Sequence, residues 1–485
     1  MRSAVAVVTT FALSIVIGSA ACSSDDAESS PGPTTDGGRS SGSSSGVGVD
    51  GASACKQGEK LCGDNCVGLD DPKTGCGGDS CDPCPATTGA NTVPACLAGV
   101  CKPGCATGFG DCNKNADDGC ETPVSANVTN CGKCGNVCGT AHTTSAPKCT
   151  AGKCELACEA GWKACGADPE GCNKNVDSDP KNCGACNRDC LGGTCAAGQC
   201  SIIPLATGQS SPNAIAVDNT NVYFVVGGTG KLMRMGKDGS GLVDGLAGAT
   251  LTDPRALVTD GQRLVWSNNS GAPLKVQRAA MNGSGIADVG ESFGTFAGGL
   301  AISGNTIAWT NRSGTNRVMR APAAGGAAVV VATGAVEPLG VAVDATNVYW
   351  GTNSVLYRQP LAAGTPCTIG TNCPELAQTI AGNLVVDATT VWFTQPTAVS
   401  KVAKGGGAVG AVATNQASPQ TIAIDATHVY WSTAGGIRRA ALGAAACDGA
   451  SCELVVDGAA PSDMVLDDKA IYWVEASGSV NKRAK

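Results

Sequence analysis

Asp344-Ala345-Thr346-Asn347-Val348-Tyr349-Trp350 is the stretch on which the fold turns. An Asp that caps a tight turn, two small turn residues, and then an aliphatic and an aromatic residue two apart read as a hairpin turn feeding a strand. The aromatic at its end has counterparts at Phe224, Trp266, Trp309, Trp350, Phe393, Trp431 and Trp473, spaced 38 to 43 residues apart. Such a period corresponds to one four-stranded sheet per repeat. Two places before the aromatic stand Val222, Leu264, Ile307, Val348, Val391, Val429 and Ile471. Six places before it stand Asp218, Asp260, Asp344, Asp387, Asp425 and Asp467, with Ser303 the exception. Twelve places before it, Pro212, Pro254, Pro338, Pro419 and Pro461 mark five of the seven repeats.

Each position has a mechanical reading. Proline ends a connection between sheets, where no ladder hydrogen bond is lost. The apolar run after it, such as Ala214-Ile215-Ala216-Val217, is the innermost strand, with small residues where strands converge on an axis. The aliphatic and aromatic pair lies on the second strand, and a base such as Arg234, Arg278, Arg320 or Arg358 closes the third. Helical periodicity is absent, so the expectation is all-β. Ile202 to Thr207 reads as a fourth, outer strand, whereas the last repeat stops after a third, Ser479 to Arg483. The first segment can therefore complete the last sheet and leave no open edge. The reading is a seven-bladed β-propeller, with six blades as the fallback if the repeat at Trp309 or Phe393 is not a blade.

Asp344 to Trp350, Asp425 to Trp431 and Lys237-Asp238-Gly239-Ser240-Gly241 resemble the YWTD-type repeats of lipoprotein-receptor propellers and related NHL-like bacterial ones. The resemblance covers Ile202 to Lys485 and implies a binding platform. The closing Asp of that motif is replaced here by Asn268, Asn311, Thr352, Gln395, Thr433 and Glu475, and that family is six-bladed. Its Asp network between blades is therefore not expected in this chain.

Upstream, the chain reads as an export signal (1–21), a Ser/Gly-rich tether (22–54), a cysteine-rich region (55–200) and the propeller (201–485). Arg2 and the apolar run Ala4 to Ile17 make the signal, too short for a comfortable membrane span. Gly18-Ser19-Ala20-Ala21-Cys22 resembles a bacterial lipobox with Ser19 in place of leucine, which makes Cys22 the expected lipidation site; plain secretion is the alternative. Of 29 cysteines, removal of Cys22 leaves an even number. The spacing of Cys96, Cys101, Cys105 and Cys112 recurs at Cys149, Cys154, Cys158 and Cys165, and Cys131/Cys134/Cys138 recurs at Cys183/Cys186/Cys190. This is a tandem array with little regular structure and too few apolar residues for a core, so it needs covalent staples. In an exported chain, Cys81/Cys84, Cys131/Cys134 and Cys183/Cys186 read as disulfide cysteines rather than zinc or redox pairs, with connectivity left open. Asp111 to Gly119 alternates side-chain oxygens in the manner of a calcium loop, but the equivalent stretch from Lys163 to Gly171 does not. Cys367/Cys373 and Cys447/Cys452 are close enough for local bridges across enlarged loops.

With 33 Lys+Arg against 41 Asp+Glu and a net charge of −8, nucleic acid is not an expected partner. Two histidines leave little for catalysis: His428 reads as a turn residue on the face away from the crossing loops, and His142 sits in a Thr/Ser-rich loop with no partner in view. Loops at the crossing-loop face offer Asn213, Arg255, Asn268, Asn311, Arg312, Gln420, Asp463 and Glu475, a set suited to hydroxyl or carboxylate recognition. The functional expectation is a monomeric, lipid-anchored envelope protein whose propeller binds a protein or glycan, with no metal and no cofactor. The alternative is an exported lyase or hydrolase acting on a polysaccharide or lactone.

Overall fold

The computed structural model describes residues 55–485, apart from 79, 116, 167–170, 247–250, 271–273, 293–295, 313–315 and 335–336. The signal, Cys22 and the tether lie outside the described residues. No helix among the described residues is long and apolar enough to cross a membrane. Two compact units divide between Asn175 and Val176. The division falls inside the cysteine-rich region rather than at its end, so residues 176–200 belong structurally with the propeller.

In the cysteine-rich region, every cysteine from Cys55 onward is disulfide-bonded. The pairing follows the internal repeat. Cys76–Cys96, Cys131–Cys149 and Cys183–Cys195 form one set, and Cys84–Cys101, Cys138–Cys154 and Cys190–Cys200 the second. Both bridges of a unit end on one short hairpin, whose turn is Ala98-Gly99, Ala151-Gly152 or Ala197-Gly198 with both residues at positive φ. A two-residue hairpin turn needs that conformation. The glycine after the first cysteine is sterically required: a Cβ on Gly132 would lie 2.5 Å from the Gly152 carbonyl oxygen, and Gly184 meets Gly198 in the same way. None of the three Cys-x-x-Cys pairs closes on itself. Cys81 bonds Cys62, Cys134 bonds Cys112, and Cys183 bonds Cys195. Buried apolar residues between 76 and 138 are chiefly Cys76, Cys84, Cys120, Cys131 and Cys138 themselves. Sulfur does here what a core does elsewhere, each bridge contributing roughly 2–4 kcal/mol.

The propeller has seven blades. Their innermost strands are Pro212–Val217, Pro254–Thr259, Phe296–Ser303, Val341–Val343, Leu384–Val386, Ile422–Ile424 and Pro461–Leu466. Each packs beside the next, and the last packs against the first, so the ring closes. The blades are antiparallel sheets. One apolar core fills each of the seven seams, and in each the aromatic of one repeat meets the residue preceding the aromatic of the repeat before it. Trp266 meets Tyr223, Trp309 meets Val265, Trp350 meets Ala308 and Phe393 meets Tyr349. Trp431 meets Trp392, Trp473 meets Tyr430, and Phe224 meets Tyr472 across the closing seam. The repeat at Trp309 and the repeat at Phe393 are both blades, and the count is seven.

Ile203–Ala206 is the outer strand of blade 7, pairing with Ser479–Ala484. It reaches its partner across some 270 residues of chain, and closing a loop of that length costs on the order of 5 kcal/mol beyond a constant. Blades 3 and 5 each gain a fifth strand that the repeat pattern does not contain. Cys367–Thr368, from the loop of blade 4, lies parallel to Val329–Thr333, and Cys447–Asp448, from the loop of blade 6, lies parallel to Gly410–Thr414. Cys367–Cys373 and Cys447–Cys452 are bonded and brace those loops.

Candidate ligand-binding face

The two ends of the ring differ in chemistry. At the end where the first and second strands turn, the repeat Asp does two jobs. One carboxylate oxygen accepts backbone N–H groups two and three residues on, as Asp344 does from Thr346 and Asn347. The other accepts from the residue five places on: Tyr223, Tyr349, Tyr430 and Tyr472 through their hydroxyls at 2.8, 3.0, 3.1 and 2.9 Å, and Trp392 through its indole N–H at 2.8 Å. In three seams a lysine from the following blade joins them. Lys404 reaches Asp344 at 2.6 Å, Lys485 reaches Asp425 at 2.7 Å and Lys237 reaches Asp467 at 2.6 Å, each ammonium also lying over the tyrosine ring. Burial pushes the Asp344 carboxyl up, but the lysine and the turn N–H groups outweigh it and hold the carboxyl at about 2. Burial and Asp425 together push the Tyr430 hydroxyl up to about 12. An acid network between blades therefore exists, built on the first Asp of the repeat rather than the missing last one. Its signal in the sequence is a lysine 11 to 13 residues after the aromatic, present at Lys237, Lys404 and Lys485.

His428 is at this same end. Its backbone N–H donates to Asp425 Oδ1, its ring contacts Thr427 Oγ1 at 2.8 Å, and burial followed by the Arg439 charge lowers its pKa. His142, in the other compact unit, has partners after all: it stacks on Trp162 with ring centroids 3.4 Å apart and faces Glu159 at 3.3 Å. In the Asp111 to Gly119 loop, the Asn113 and Asn115 amides both donate to Asp118, so the loop closes on its own hydrogen bonds. Part of its counterpart in the next unit, including Asp168 and Glu170, is outside the described residues.

The opposite end carries the crossing loops and the hairpins between second and third strands, and all eight residues named from the sequence lie there. Three are inside the protein. Asn268 and Asn311 are 7% and 0% exposed, because the second strand runs two residues past the aromatic and pairs them with Pro254 and Ala297. Asp463 is 1% exposed on the innermost strand of blade 7. One oxygen accepts the Ile215 N–H of blade 1 at 3.0 Å and the other the N–H of Met464 at 2.8 Å. Burial raises its pKa to about 8 against the pull of those two bonds. Two more are committed to the fold: the Asn213 amide donates to the Pro254 carbonyl of the next blade at 2.9 Å, and Glu475 accepts the Trp473 indole N–H at 2.9 Å.

Of the remaining three, Gln420 is exposed and Arg255 and Arg312 are half-buried. Arg255 pairs with Asp253 at 2.9 Å and Arg312 with Glu337 at 3.6 Å, while the Gln420 amide donates to Ser418 at 3.2 Å. Asp253 and Glu337 each stand just before a repeat proline, at φ 49° and 47°. Sequence reading missed both acids, although their place before the proline marks them. Both pairs are partly open to water, with side-chain exposures of 37% and 33% for Arg255 and Asp253 and of 19% and 57% for Arg312 and Glu337, so an incoming carboxylate or hydroxyl competes with one acid at each guanidinium.

No family model matches this chain. No curated protein matches it either. Among solved structures it is similar to a nidogen/laminin complex, at 18% identity over 36% of this chain and 65% of that one, with a TM-score of 0.29. It is also similar to a selenomethionine-substituted virginiamycin B lyase from Staphylococcus aureus, at 14% identity over 59% of this chain and 98% of that one, with a TM-score of 0.46. YCF48 bound to D1 peptide is 12% identical over 59% and 94%, with a TM-score of 0.43. Likenesses at these scores carry no argument about ligand or reaction; the seven-bladed assignment stands on strand pairing and the seven seam cores.

Proposed function

We propose that this protein is an exported, lipid-anchored binding head that engages a hydroxyl- and carboxylate-bearing envelope ligand, a glycan or protein, through the crossing-loop face of its propeller. The observation that carries the reading is the polarity of the ring. Residues 176–200, through which the chain enters the propeller, lie at the end of the Asp–Tyr–Lys clusters: Arg188 Nε donates to the Lys485 carbonyl and Lys482 Nζ to that of Leu191. The crossing-loop end, with Arg255, Arg312 and Gln420 at its surface, is turned away from that attachment. Export is supported by the density of disulfides, which persist in oxidising compartments. Anchoring is supported by Cys22 and its preceding small residues, and the protein is expected to act as a monomer.

The test uses the whole exported chain against immobilised peptidoglycan, envelope polysaccharide and envelope protein fractions, read by biolayer interferometry. Binding to one fraction should fall about tenfold or more in Arg255→Ala and Arg312→Ala, and stay unchanged in Lys469→Ala at the opposite end. Binding to no fraction, or equal loss in all three variants, overturns the proposal. Mass spectrometry of the mature N-terminus tests the anchor, and an unmodified Cys22 removes it.

A further inference from the structure

We infer that residues 176–200 are the clasp of the propeller ring, so that ring closure depends on Cys183–Cys195 and Cys190–Cys200, two disulfides that lie outside all seven blades. This is independent of what the crossing-loop face binds.

The strand that closes the ring is weak by itself. Ile203–Ala206 meets its partner at only three register positions, Ile203↔Lys482, Pro204↔Asn481 and Ala206↔Val480, with an irregularity between the last two. Pro204 has no N–H to give to the ladder. No hairpin links this strand to Ser479–Ala484, unlike the fourth strands of blades 2 to 6, so its contacts alone must hold it in place.

The unit directly before it supplies the missing hold. Cys200 stands three residues ahead of the closing strand and is 2% exposed, bonded to a fully buried Cys190. Cys183, Cys190 and Cys200 form one apolar cluster with Ala484, the last residue of the strand being clasped. Leu191 packs both there and into the core of the closing seam beside Phe224 and Tyr472. Polar contacts surround this joint. Arg188 Nε meets the Lys485 carbonyl at 2.7 Å, Arg483 meets Gln199 Oε1 at 2.8 Å, and Lys482 Nζ donates both to Leu191 and, at 2.8 Å, to the Lys237 carbonyl of blade 1. Lys482 and Arg483 are 5% and 7% exposed, low for charged residues, and each has a polar contact with this stretch. Two disulfides in a stretch this short also fix its shape before it docks, so little conformational entropy is lost on docking.

The experiment compares hydrogen exchange across the whole chain in the parent and three variants: Cys190→Ala/Cys200→Ala, a control lacking a bridge of the preceding unit (Cys62→Ala/Cys81→Ala), and Arg188→Ala/Leu191→Ala, which loosens the clasp without touching sulfur. The clasp predicts at least tenfold faster exchange over Ser479–Ala484 in the first and third variants, with Val341–Val343 of blade 4 unchanged and the control like the parent. Parent-like exchange at Ser479–Ala484 in either the Cys190/Cys200 or the Arg188/Leu191 variant overturns the inference, as does equal acceleration in blades 4 and 7. If the double-cysteine variant does not accumulate while the control does, the Arg188/Leu191 variant decides.

Discussion

Two kinds of aspartate set the response of this propeller to acid and base, with opposite signs. Asp344 has its carboxyl held at about 2 in the folded chain, below its unfolded value near 4. Its contribution is complete above pH ~4 and is lost as pH falls through about 2. Replacing Lys404 with Met removes a charged partner of a mostly buried carboxylate and should cost about 1.5–3 kcal/mol near neutrality. In denaturant titrations that gap between variant and parent should shrink as the pH is lowered from 7 to 3. A gap that is flat across this range would mean that the lysine acts through packing over Tyr349 alone. Asp463 runs the other way. Its folded value of about 8 lies above the unfolded one, so the folded chain holds a proton that the unfolded chain has released, and stability falls as pH rises from about 4 to 8. Asp463→Asn keeps an acceptor for the Ile215 N–H and removes the titration. It should gain on the parent by up to about 1.4 kcal/mol for each pH unit in that window, and a parallel pair of pH curves would refute this.

At the level of strands, what the sequence discloses depends on whether a feature repeats. The period of the aromatics, the Asp turns and the prolines is visible because each blade needs the same residue at the same place, and the strands they announce are present. Asn268 and Asn311 read as loop residues because Asn favours turns, yet the ladder extends over them; nothing local marks where a strand stops when its partner residue, Pro254 or Ala297, is placed by another connection. The seam lysines recur at a similar distance from the aromatic in three of the seven repeats, but a Lys after a third strand has meaning only once the neighbouring blade is placed beside it. The two added parallel strands, Cys367–Thr368 and Cys447–Asp448, carry no pattern of their own. They exist because blades 3 and 5 offer an outer edge and a short disulfide loop holds a peptide against it. Removing Cys367 and Cys373 together should cost about 2 kcal/mol from loop entropy. It should also speed amide exchange at Ile369, whose N–H bonds the Thr333 carbonyl, while leaving Gly410–Thr414 of blade 5 as it was. Unchanged exchange at Ile369 would show that the added strand holds without its bridge.

Across the whole molecule, covalent staples and close packing divide the work by region. The blades bury an aromatic in every seam and carry sulfur bridges only at two rim loops, whereas the cysteine-rich region has almost no side-chain core. Its bridges overlap along the chain: Cys105–Cys120, Cys112–Cys134, Cys131–Cys149 and Cys138–Cys154 leave no peptide bond from 105 to 154 outside a sulfur-closed loop. A protease that severs any one of those bonds makes two new ends and no new fragment. Outside a cell, where hydrolases are met daily and no ribosome can replace a lost part, a region so bridged tolerates a nick that would cast part of an unbridged chain adrift.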